Sequence, residues 1–149
     1  MEGTRDLAET CNNLALRRAA RYLGAAYDKA LAPLGLRSTQ LSVLRELTRV
    51  PTMTITGLAE RIAMDRTTLA AALKPLVREG LVTVEPSPAD RRVRVVSVTP
   101  EGRSRVEAGR ALLETTDSRF EAAYGAGDAA RLRASLGRVL ASGFHPWAE

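Results

Sequence analysis

The chain has 149 residues, 45% of them apolar and 26% charged, with a formal net charge of +5. That length can bury one hydrophobic core of ordinary size, and no apolar run approaches the roughly 18–20 residues that would span a bilayer. A lone cysteine, Cys11, rules out an intrachain disulfide, and the opening MEGTRDLAETC lacks the apolar stretch of a signal peptide, so a cytoplasmic protein is expected.

Charge is unevenly placed. Residues 1–55 carry 8 basic and 5 acidic side chains, residues 56–105 carry 9 and 6, and residues 106–149 carry 5 and 6. A polyanionic partner would meet the front two-thirds, which leaves the C-terminal third for another task.

From about residue 4 to residue 32, Leu16, Ala20, Leu23, Tyr27, Ala30 and Leu34 recur at steps of three and four. This spacing predicts a long amphipathic helix, ended by Pro33-Leu34-Gly35. Ser38 is the expected N-cap of a second helix, with Leu41, Leu44 and Leu47 facing inward and Val50-Pro51 closing it. Met53, Thr54 and Ile55 make a brief β-like step. Thr56 is expected to cap a short helix, and Ala63-Met64-Asp65 to form a turn. Asp65 would cap the next helix by accepting from the amide of Thr67 or Thr68. Leu69, Leu73, Leu76 and Val77 are its expected buried stripe, and Pro75 inside it should kink it. Gly80 suits the left-handed residue past its end, with Leu81 folding back on Leu76. Residues 81–85 and 93–98 are rich in β-branched side chains and flank Pro86-Ser87-Pro88-Ala89-Asp90, a hairpin with a rigid tip. Thr99-Pro100 opens another helix, Gly125-Ala126-Gly127 breaks it, and Asp128 is expected to cap the last one, with Leu132, Leu136, Val139 and Leu140. The fold class is mainly α with a small β-hairpin wing (α+β), in the order of a winged helix-turn-helix.

Two groups of residues point to function. On a helical wheel of residues 66–79, Thr67, Ala71, Lys74 and Arg78 lie opposite the leucines. Small side chains let a helix approach base edges, and Thr can donate, accept or pack on a thymine methyl. Lys74 and Arg78 could reach phosphates, which supply affinity with little sequence discrimination. Arg91, Arg92 and Arg94 cluster at the hairpin tip beside Asp90. Three cations on a solvated loop repel each other, so they make most sense against a polyanion. An arginine there would gain from the enhanced potential of a narrow minor groove, and Asp90 could aim one guanidinium through a charge-assisted pair.

The block LAERIAMDRTTL, then REGLV, then PADRR followed by VSVTPEG, resembles the MarR (multiple antibiotic resistance regulator) family of bacterial transcription factors. ALRRAARYLGAAYDKALAPLGLRSTQLSVLREL looks like that family's first two helices. The resemblance implies one domain over residues 1–149. Its winged helix-turn-helix lobe would occupy about residues 36–100, and helical dimerisation regions about 4–34 and 101–145. It places Arg66, Thr67 and Thr68 at the start of the recognition helix, Arg92 as the wing arginine entering the minor groove, and Asp90 as its orienting acid. It also implies a homodimer on double-stranded, pseudo-palindromic operator DNA. The homodimer would be a repressor released by a small aromatic or phenolic ligand, with Arg17, Arg21, Tyr22 and Leu44 as candidate lining; dimer and core contacts are the alternative for those four. Peroxide-sensing members carry a reactive cysteine in the first helix. Aligned on ALRRAAR, Cys11 falls two residues earlier than theirs, so an inert, partly buried thiol is expected, with a redox sensor as the alternative. An architectural DNA-binding protein with little sequence preference is a further alternative. No enzyme, metal or cofactor is expected. His145 is the single histidine, no Cys/His cluster has ligand spacing, and there is no phosphate loop or nucleophile elbow.

Overall fold

The structure, a computed structural model, describes residues 10–146, so the first turn and a half of the expected N-terminal helix, residues 4–9, lies outside the described residues. In chain order the elements are α1 (Asn12–Leu31), a 3-10 turn (Ala32–Leu34), α2 (Ser38–Arg49), β1 (Thr52–Thr54), α3 (Ile55–Arg61), α4 (Arg66–Arg78), β2 (Val82–Pro86), β3 (Arg94–Val98), α5 (Pro100–Tyr124) and α6 (Ala126–Leu140). The architecture is mainly helical with an antiparallel sheet of order β1-β3-β2. The expected hairpin is therefore a three-stranded sheet. Met53 of β1 and Val84 of β2 flank Val96, which is fully buried. The chain divides into two compact units, one up to Leu113 and one from Glu114 onward.

The core of the first unit forms where the apolar stripes of α2, α3 and α4 meet the sheet. Leu41, Val43, Leu44 and Leu47 come from α2, Leu58 from α3, and Leu69, Leu73 and Leu76 from α4; Leu31, Leu81, Val82 and Val96 complete it. The first half of α5 packs closely on this core, because Gly102 and Gly109 carry no side chain. A Cβ on Gly102 would lie 2.2 Å from the Leu81 carbonyl oxygen, and one on Gly109 would lie 3.4 Å from Leu31 Cδ2. Thr99 caps α5 as expected, its Oγ1 accepting from Gly102 N at 3.1 Å and donating to Gly80 O at 2.6 Å.

Four expectations need correction. Ser38 is not the cap of α2 but its first residue; Arg37 holds the cap position. The amide and hydroxyl of Ser38 both donate to Asp28 Oδ1 at 2.7 Å. A carboxylate from α1 thus satisfies the helix end, a stronger acceptor than a hydroxyl. Those two bonds, led by the amide, hold the Asp28 carboxyl below its usual value. Thr54, not Thr56, caps α3, with Oγ1 accepting from Gly57 N at 3.0 Å. Thr54 is the last paired residue of β1, so its extended backbone already matches a cap. Asp128 does not cap α6. Gly125 does, and Asp128 sits in the first turn paired with Arg131. Val77 does not belong to the buried stripe of α4, being 43% exposed. The core ends at Leu73 and Leu76, and Val77 lies on the rim of a shallow pocket of about 300 Å³ with Ile55, Ala70, Leu73, Lys74 and Val84.

α1 follows its amphipathic pattern, yet Leu31 is the one buried residue of its 20. Leu14 and Leu16 are exposed, and Tyr22 is 83% exposed. In the second unit, Phe120 and Tyr124 stack with ring centroids 5.1 Å apart, and Arg133 pairs with Glu121 at 2.9 Å. Leu136, Val139, Leu140 and Phe144 are exposed there. None of the described helices is long and apolar enough to cross a membrane.

Candidate nucleic-acid interface

α3, a tight turn and α4 form the helix-turn-helix. The turn passes through Ala63 at φ 51°, a left-handed conformation for a residue with a Cβ, and Met64 N donates to Ala59 O at 2.9 Å. Asp65 then caps α4. Its Oδ1 accepts from Thr68 N at 2.9 Å, and its other oxygen accepts from the Thr68 hydroxyl. The hydroxyl bond first, and the amide bond second, lower the Asp65 pKa. The far end of α4 closes on Gly80 at φ 70°, with Gly80 N bonded to Val77 O at 3.0 Å and Leu81 N to Leu76 O at 2.9 Å. This is the Schellman arrangement read from the sequence, and the helix continues unbroken from Arg66 through Pro75 to Arg78.

With Leu69, Leu73 and Leu76 buried, α4 presents Arg66, Thr67, Ala70, Ala71 and Lys74 to solvent, with Arg78 at its last turn. Ala70 was missing from the sequence-based stripe. It stands three residues after Thr67, a spacing that puts the two on one face. The hydroxyl of Thr68 is committed to the cap. Arg78 lies about 16 Å along the axis from Thr67 at 1.5 Å per residue, beside a different cavity that also includes Arg37.

The wing tip is held by short-range bonds: Ser87 N to Val93 O at 2.7 Å, and Val93 N to Asp90 O at 2.9 Å. Asp90 grips Arg92 at three points. Oδ1 accepts from the Arg92 amide at 3.0 Å and from Nε at 3.2 Å, and Oδ2 accepts from an NH2 group at 3.2 Å. The guanidinium, followed by the amide, lowers the Asp90 pKa. The Arg92 side chain nevertheless remains 91% exposed. Arg91 and Arg94 flank it, both exposed.

The candidate ligand residues do not gather on one surface. Arg17, Arg21 and Tyr22 face solvent on α1, whereas Leu44 is sealed in the core. Cys11 is a half-buried free thiol at the residue preceding α1.

The MarR family model matches residues 36–93, the segment from the turn before α2 to the wing tip. Over nearly the whole chain, the fold is similar to the M. tuberculosis transcriptional regulator MosR solved in complex with DNA: 36% identity, TM-score 0.78, covering 89% of this chain and 95% of that one. The chain belongs to the MarR family. Other solved regulators share the fold. The transcriptional repressor CouR, solved bound to a 23-mer DNA duplex, is 26% identical with a TM-score of 0.79, covering 93% of this chain and 99% of that one. Among curated relatives, an uncharacterized HTH-type transcriptional regulator of Staphylococcus aureus is 32% identical over 63 residues, which is 42% of this chain. That match spans 43% of the relative's own length.

Proposed function

We propose that the chain is a homodimeric repressor that binds a pseudo-palindromic operator, α4 reading the major groove and the wing probing the minor groove. The observation that carries this reading is Arg92. A surface ion pair contributes little stability by itself. A guanidinium that is 91% exposed, yet held by three bonds to Asp90, is pre-oriented toward whatever meets the wing. Pre-orientation lowers the entropy lost on inserting an arginine into a narrow, negatively charged groove. The relatives MosR and CouR, both solved with DNA, support the same reading.

In this proposal Thr67, Ala70 and Ala71 approach bases, Arg66 flanks them, and Lys74, Arg78, Arg91 and Arg94 meet phosphates. The dimer covers the exposed apolar residues of α1 and those at and beyond the end of α6, since Leu140 and Phe144 are 76% and 79% exposed in the single chain. A two-fold dimer sets half-sites about one helical turn apart. Sedimentation should give twice the 16.1 kDa chain mass; a monomer at micromolar concentration would exclude the dimer. Release by a small aromatic ligand belongs to the same proposal, with Arg17, Arg21 and Tyr22 as α1 residues facing solvent. A mobility-shift titration tests the function. The duplex upstream of the protein's own gene should bind about 1,000-fold tighter than a scrambled duplex or more, the low end of the usual specificity range. Equal affinity for both would favour an architectural protein instead.

A further inference from the structure

α5 lies on the DNA-reading lobe along one face, marked by Thr99, Gly102, Arg105 and Gly109 at steps of three and four. That face meets the end of α4 and the end of α1. Thr99 N donates to Leu81 O at 3.1 Å, and its hydroxyl donates to Gly80 O. Gly102 lets the helix approach the Leu81 carbonyl, and Gly109 lets it approach Leu31 and Leu41. Arg105 stands between the two glycines, with a side chain only 26% exposed.

The Arg105 guanidinium reaches two other elements. Nη1 donates to Leu34 O at 2.7 Å, at the end of the 3-10 turn that follows α1, and lies 4.0 Å from Oε2 of Glu79, the residue that closes α4. Nη2 donates to Glu101 at 3.3 Å, one turn back on α5. Both members of the Arg105–Glu79 pair are partly shielded from water, so salt screens it less than an open surface pair. The cation also stands at the carbonyl end of α4, where the helix dipole favours positive charge and Glu79 alone would oppose it. One side chain thus ties the end of α1 to the end of α4. The leverage is large. Thr67 lies about 16 Å along the axis from Arg78 at 1.5 Å per residue, so a tilt of about 10° at that end carries it by about 3 Å, close to the rise of one base pair.

We propose that Arg105 is a positioning residue for DNA reading: by holding Leu34 O and Glu79 with one guanidinium, it sets the tilt of α4 against α1 and hence the half-site separation that a dimer accepts. The inference rests on the dimeric operator reading above. α1 carries the exposed Leu14 and Leu16 that the partner protomer would cover, so whatever fixes α4 to α1 fixes each reading helix to the dimer. Arg105 acts through Glu79 and the turn, and touches neither base nor phosphate.

The test measures binding of the full-length protein, by fluorescence anisotropy, to an operator duplex and to the same duplex with one base pair inserted or removed at its centre. Either change shifts the half-sites by about 3.4 Å and about a tenth of a turn. The parent should bind the altered duplexes about tenfold more weakly or worse. Arg105→Gln should bind the unaltered duplex about fivefold more weakly and lose less than about threefold on the altered ones, with an unchanged salt slope. Glu79→Gln should do the same. Arg105→Lys should recover most of the parent's spacing preference, and Glu101→Gln, which removes only the contact within α5, should match the parent. Circular dichroism melts and sedimentation confirm folded dimers. A uniform loss on all three duplexes in Arg105→Gln would reduce the residue to a structural role and overturn the proposal. So would parent-like binding in folded Arg105→Gln, a parent indifferent to spacing, or a salt slope shallower by about 1, the mark of a phosphate contact. A parent that binds the operator no tighter than a scrambled duplex would instead overturn the operator reading on which the inference rests.

Discussion

α1 and α4 are both amphipathic helices, and they meet opposite fates within one chain. α4 spends its apolar stripe internally: Leu69, Leu73 and Leu76 are buried, and its other face is left polar or small. α1 is longer and as regularly patterned, yet among its 20 residues Leu31 alone is buried. Periodicity in a sequence thus states that a face needs covering, and leaves open whether the same chain or a second copy covers it. For α4 the covering is in hand, which frees its outer face to be shaped for a ligand. For α1 and the exposed leucine and phenylalanine side chains at the end of α6, we propose that the covering is the partner protomer.

The sharpest way to break this comparison is to truncate one leucine on each helix. Leu76→Ala should cost about 2–5 kcal/mol of folding stability, the range for a fully buried leucine, read from urea unfolding. Leu16→Ala, at a half-exposed position, should alter the protomer's fold little and instead raise the dimer dissociation constant, read by sedimentation at several concentrations. Equal folding losses in the two variants would erase the distinction.

A smaller effect tests how α5 is laid on the lobe. In Gly102→Ala the new methyl would sit 2.2 Å from a backbone oxygen of Leu81, so α5 or the β2 entrance must shift. A loss of about 1–3 kcal/mol is expected, as for overpacking elsewhere, and a wild-type melting temperature would contradict the close approach. Ala63→Gly acts in the other direction. Left-handed backbone costs a residue with a Cβ roughly 1–2 kcal/mol, and glycine's extra freedom in the unfolded chain returns part of that. A net gain of about 0.5 kcal/mol is expected in the same unfolding assay.

The smallest effect is the acid response of the Asp28 cap. The folded-state pKa of Asp28 is lowered from 3.8. Its contribution is therefore full above the unfolded value and is lost as pH falls through the lower folded value. Asp28→Asn should lower stability at pH 7 and flatten the decline below pH about 4. A variant whose acid decline matches the parent's would show that the bond to Ser38 carries no linked proton.

Much of this was legible in residue order. Asp65, Gly80 and Thr99-Pro100 are local signals, decided within one turn of chain, and each holds in the structure as read. The pairing of Asp90 with Arg92 was readable for the same reason, being two residues apart. The misread positions depend on groups distant in sequence or on strand pairing. Ser38 lost its capping role to a carboxylate ten residues back, and Thr56 lost its own because β1 pairing ends at Thr54. Val77 reads as core from its spacing, but it stays 43% exposed on the rim of the shallow pocket beside Ile55 and Val84. The cavity between Arg37 and Arg78 had no sequence signal, since it joins residues some forty positions apart.

The central claim is that α4 and the wing together read DNA, and fluorescence anisotropy on a labelled operator duplex at several salt concentrations tests it most directly. Arg92→Ala should weaken operator binding by about 1–3 kcal/mol and flatten the preference for a narrow A/T-rich minor groove, while Lys74→Ala should weaken all duplexes alike and make the salt slope shallower by about 1. Unchanged operator affinity in Arg92→Ala, with the variant folded, would contradict the account.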